Sequence, residues 1–146
     1  MSARITLTGR EVSNRWPHIK RWLRVEPSGR VEDAFRSFCW AEDTLNPADR
    51  AAANEEWADF WGFRLEQRAG ELAGDDHKRG LVEEWTDSMV YLSRRCAAIA
   101  RGEDPGPWVP QWERRPDLAA AKDARVAKII AELDAGEQAE QQRRAG

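Results

Sequence analysis

Two stretches of helical period, separated by one turn signal, constrain this chain more than any other feature. Asn46-Pro47-Ala48-Asp49 is a helix start. Asn46 can cap with its side chain, Pro47 suits the first helical position, and Asp49 falls in the first turn. Trp57, Phe60, Trp61, Leu65 and Leu72 then recur at helical spacing as far as Gly74, which ends the run. "GDDHKRG" at 74–80 is a turn, with Asp75 or Asp76 placed to cap a second helix ending near Gly102. Leu81, Trp85, Met89, Leu92, Cys96 and Ile99 form its apolar face. A connection this short predicts that the two helices pack antiparallel.

Around this pair the signals are shorter. "RITLT" at 4–8 is a short strand or an extended arm. "SNRWPHIKRWLRV" at 13–25 predicts a helix capped by Ser13 or Asn14, with Pro17 in its first turn. In the next segment, Phe35, Phe38 and Cys39 again stand at helical spacing. Residues 103–117 hold four prolines and two tryptophans, the composition of an extended strap. Prolines lower the entropy cost of ordering such a segment, so it is expected to be fixed, with Trp108 or Trp112 buried against the body. Val126, Ile129, Ile130 and Leu133 mark a last amphipathic helix, and residues 136–146 read as a flexible tail. Only "ITLT" alternates. The expected fold is therefore all-α: a small bundle with two long central helices, a strap and a C-terminal helix, in a single domain over residues 1–135.

Charge and cysteine content narrow the function classes. Residues 1–30 carry seven Arg and Lys against two Glu, a net of +5, while the whole chain has −3. Within that segment Arg15, Lys20, Arg21 and Arg24 interleave with Trp16 and Trp22, as a phosphate or nucleic-acid contact would require. Arg95 on the second long helix is a further candidate phosphate contact. The alternative is an amphipathic segment that buries Trp16, Ile19, Trp22 and Leu23 and leaves the cations wet. Cys39 and Cys96 form no CxxC motif, which gives no zinc signature and fits a reduced, cytoplasmic setting. No apolar run approaches the roughly 18 residues that a membrane helix needs. Neither a nucleophile triad nor a phosphate-cradling glycine loop is present, and His18 and His77 stand alone.

The two long helices share a motif. Glu55-Glu56-Trp57-x-Asp59 and Glu83-Glu84-Trp85-x-Asp87 lie 28 residues apart, followed by Phe63 and Tyr91 at equivalent places. On each helix an acidic i, i+3 pair, Glu56/Asp59 or Glu84/Asp87, borders the apolar face. Like charges at this spacing cost a few tenths of a kcal/mol. Convergence of the four carboxylates would call for raised pKa values or a cation, and oxygen ligands of this kind suit Mg²⁺ or Mn²⁺.

The spacing of Glu55-Glu56-x-x-Asp59 and Glu84-x-x-Asp87 resembles the EExxE…ExxD signature of the all-α nucleoside triphosphate pyrophosphohydrolases, the MazG-like group. The similarity covers about residues 48–101, with Asp59 standing where that family usually has Glu. It implies Mg²⁺-dependent hydrolysis of a nucleoside triphosphate to a monophosphate and pyrophosphate. The implied metal ligands are Glu56, Asp59, Glu84 and Asp87, and the implied catalytic acids are Glu55, Glu56 and Glu84.

A second reading makes the acids solvated flanks balanced by Arg64, Arg68, Arg94 and Arg95. The tryptophans then form a core of Trp57, Trp61 and Trp85 clamped by the strap, or a platform for a partner. The function is then that of a non-catalytic regulator, inhibitor or adaptor acting through protein contacts. Homo-oligomerisation is compatible with either reading, and nucleic-acid binding ranks third because no helix-turn-helix pattern is evident.

Overall fold

The computed structural model describes residues 5–34 and 45–146. The expected helical stretch around Phe35, Phe38 and Cys39 lies outside the described residues. The element order is α1 (Gly9–Arg15), a 3₁₀ turn (Lys20–Trp22), β1 (Leu23–Val25), β2 (Val31–Asp33), α2 (Pro47–Arg68), α3 (Asp76–Ala100), α4 (Gln111–Arg114) and α5 (Pro116–Ala145). The architecture is mostly α, with one small antiparallel hairpin in which Val25 pairs with Val31.

The α2–α3 pair forms as its sequence signals dictate. The Asn46 side chain accepts from Asp49 N–H at 2.9 Å, and Asp75 accepts from Lys78 N–H at 3.0 Å. Gly74 between them has φ +87°, a left-handed conformation that glycine adopts without steric cost. The helices run antiparallel: Glu55 near the start of α2 meets Arg101 just beyond the end of α3, while Trp61 packs on Trp85 at 5.0 Å.

The core lies between α2 and the N-terminal segment. Trp57, Phe60, Trp61 and Phe63 of α2 meet Trp16, Ile19, Trp22 and Val31. Trp16 stands edge-on to Phe60 at 5.5 Å and Phe63 at 5.4 Å. The hairpin is tied to α2 by Gln67, whose amide accepts from Val31 N–H at 2.8 Å and donates to Val31 C=O at 3.0 Å. At its tip, Leu7 N–H donates to Gly29 C=O at 2.9 Å. Gly29 has φ +87°, and a Cβ there would stand 2.9 Å from the Thr6 side chain, so only glycine fits.

Four expectations are corrected. The first helix precedes Pro17 instead of starting there, because Thr8 and Glu11 form a capping box over Gly9–Arg15. Residues 23–25 and 31–33 pair as β1 and β2, where the all-α expectation placed no strand. The face α3 buries is Gly80, Thr86, Ser93 and Ala97, while Leu81, Trp85 and Ile99 stay exposed. The expected tail is helical through Ala145.

Candidate functional site

Each acidic pair is positioned by its helix, and each holds a different segment of the chain. On α2, Glu56 accepts from the backbone N–H groups of His18 at 2.8 Å and Ile19 at 3.3 Å, and its other oxygen meets His18 Nδ1. The break at Pro17 leaves the His18 amide without a helical partner, and Ile19 N–H is shared with Trp16 C=O at 3.3 Å, so Glu56 holds the chain where it enters the 3₁₀ turn. Asp59 accepts from Arg15 Nε at 2.7 Å and from Trp16 Nε1 at 2.8 Å. That bond satisfies the polar edge of a fully buried indole.

On α3 the equivalent pair faces the strap and α5. Glu84 accepts from Arg125 at 3.1 Å, and Gly80 leaves the room in which that guanidinium lies against α3. Asp87 accepts from Gln111 at 3.0 Å, Arg114 at 3.0 Å and Arg115 at 3.1 Å. Three donors on one carboxylate make it the principal anchor of the strap. Glu55 pairs with Arg101, and Glu83 sits 3.9 Å from Arg79.

The four candidate metal ligands are thus divided between two places. Among the described residues, no group of three or more His, Cys, Asp and Glu side chains is arranged to hold a metal ion. Each carboxylate already meets an arginine or a backbone N–H, so this donor set does not fit a divalent cation as it stands.

The candidate phosphate contacts are also engaged. Arg15 is bound to Asp59, Arg21 lies over the Trp22 ring at 4.0 Å, and Arg24 is 3.7 Å from Glu26. Lys20 is exposed. The aromatic members Trp16, Ile19 and Trp22 are buried, which is the amphipathic arrangement and leaves no stacking platform there.

Arg95 does something the sequence did not reveal. It donates to the carbonyls of Pro105 at 3.1 Å, Gly106 at 2.9 Å and Pro107 at 3.3 Å. Tyr91 adds to the clamp, its hydroxyl accepting from Val109 N–H at 3.0 Å. Gln111 completes it with a bond to Glu84 C=O at 2.8 Å. The strap lies along α3 through these contacts, and its tryptophans are not buried as expected. Trp108 is 55% exposed, although it stands edge-on to Tyr91 at 4.7 Å, and Trp112 is 67% exposed.

His18 was another residue without an assigned role. Its ring lies between Glu56 and Asp49, 3.8 Å from the latter. A lone histidine has no sequence signal for such a contact, because its partners are 31 and 38 residues away.

The ion pairs set the acid limb of stability. Arg15, and after it Trp16, holds the Asp59 carboxyl below its ordinary value against the cost of burial. Burial pushes Glu32 up, but Arg64 and Arg30 outweigh it and lower the net value. A depressed folded pKa gives stabilisation that is complete above the unfolded value of about 4 and is lost as pH falls through the folded one. The melting temperature should therefore fall below about pH 4. Asp59→Asn should flatten that limb in a pH series of thermal melts.

No known family model, curated protein or solved structure matches the chain. Among the described residues, no helix is long and apolar enough to cross a membrane.

Proposed function

We propose that the chain is a non-catalytic helical binding protein whose recognition element is the strap at 103–115. The observation that carries this reading is two tryptophans held outward on a backbone that the body has already fixed. Exposed large aromatics are what protein interfaces use as anchors. Ordering a loop on binding costs affinity, and here three arginines, Tyr91, Gln111 and Asp87 supply that order beforehand. Leu81, Trp85 and Ile99 add exposed apolar surface on α3. The hydrolase implied by the motif resemblance would need the same four carboxylates to meet a metal, and their present partners support the anchoring role instead.

The test uses proteins retained by the immobilised full chain, purified and titrated calorimetrically. Trp108→Ala with Trp112→Ala should weaken a genuine partner by about 100-fold or more, the size of a hot-spot loss. Glu55→Gln should leave that affinity unchanged. Binding that survives loss of both tryptophans would contradict the proposal.

A further inference from the structure

The helix α5 is longer than the body that supports it. Its first half is seated: Leu118 is buried, Arg125 pairs with Glu84, and Ile129 and Glu132 lie beside the α2–α3 turn. The last 13 residues, 134–146, extend onward as helix to Ala145, and of these only Glu140 is shielded at all. At 1.5 Å per residue this overhang is about 20 Å long. An unsupported helix of this length is marginal in water. Where the body ends, the exposed stripe of Val126, Ile130 and Leu133 begins, with Leu133 at 68% exposure.

The charges beside that stripe identify what covers it. Advancing about 100° per residue puts Lys122 on the same face before the stripe and Glu137 on it afterwards. Neither residue has a partner among the described residues. Between 122 and 128 the helix carries Lys122, Arg125 and Lys128 against Asp123; between 131 and 140 it carries only Glu132, Asp134, Glu137 and Glu140. Along the stripe the basic residues come first and the acidic ones after, before Arg143 and Arg144 close the helix. A parallel pair of such helices would set acid on acid and base on base, and an antiparallel pair brings opposite charges together.

We propose that α5 pairs antiparallel with α5 of a second copy of this chain about a two-fold axis near Ile129 and Ile130. Val126 then faces Leu133 of the other copy, and the same register places Lys122 opposite Glu137. The contact is isologous, so each pairing occurs twice and the assembly closes at two copies. It uses a surface separate from the strap, so it stands or falls independently of the binding function.

Sedimentation equilibrium over a concentration series reaching the millimolar range tests it. The mass should rise from 16.7 kDa to about twice that value with concentration. Leu133→Glu should keep the chain monomeric throughout with unchanged helical circular dichroism. Lys122→Glu alone and Glu137→Lys alone should each weaken association, and an equimolar mixture of the two should restore it to the wild-type level. A parallel pair gives the opposite pattern: single variants as strong as wild type, and a mixture stronger than either. Trp108→Ala/Trp112→Ala should associate like the wild type. A wild-type chain that stays monomeric, a dimer that Leu133→Glu leaves intact, or the parallel pattern would each overturn the proposal.

Discussion

Trp57→Ala is expected to lower stability by about 3–5 kcal/mol, the range for truncating a large buried aromatic. Trp57 is 1% exposed, stacked on Trp61 at 5.5 Å and edge-on to Phe60 at 5.6 Å. Domains of this size have about 5–15 kcal/mol in total, so the variant should be barely folded at room temperature. Trp112→Ala, two-thirds exposed, should change stability by no more than about 0.5 kcal/mol. Urea melts of the two variants separate core tryptophans from surface ones. Equal losses would mean that Trp112 carries structural load and is not free to meet a partner.

Asp87→Ala should have the second-largest effect and a more local one. It leaves Arg114, Arg115 and Gln111 without their shared acceptor in a site where the carboxylate is 13% exposed. Removing one partner from a buried ion pair costs about 3–5 kcal/mol, and the residual exposure here places Asp87 at the low end. The loss should concentrate in the strap. Amide hydrogen exchange at Gly106 and Val109 should accelerate, while α2 amides near Trp57 should keep their protection. Asp87→Asn retains one acceptor and should do less. Unchanged strap protection in Asp87→Ala would show that Arg95 and Tyr91 suffice to hold it.

The parts of the fold that the sequence made legible are those decided locally. Asn46-Pro47-x-Asp49 and Gly74-Asp75 act within one helical turn, so their caps are found where the residues predict them. The strap was legible for the same reason, through its prolines. What was misread depends on partners distant in sequence. On α3 the large apolar residues marked the buried face only in part: Trp85 packs on Trp61 and Met89 on the core, but the fully buried positions are the small Gly80, Thr86, Ser93 and Ala97, which let α3 lie close against the bulky side chains of α2. A count of hydrophobic residues is blind to that complementarity. The hairpin escaped because strands of three residues are too short to alternate. The α1 start was in fact legible, since Thr8-Gly9-Arg10-Glu11 is a capping-box sequence that the attraction of Pro17 obscured. The acid pairs were rightly placed at the border of the buried faces of their helices. Their roles followed from Arg15, Arg114 and Arg125, which no spacing rule connects to them.

Those roles can be tested in one titration. If Glu56, Asp59, Glu84 and Asp87 are anchors, their charges are already compensated, and a divalent ion gains nothing by binding the folded state. The melting temperature of the full chain should then stay flat through millimolar Mn²⁺, with no pyrophosphate released from a panel of nucleoside triphosphates in the same samples. A melting temperature that climbs with Mn²⁺, together with pyrophosphate release, both abolished by Glu84→Gln, would contradict the anchoring role and return these carboxylates to metal chemistry.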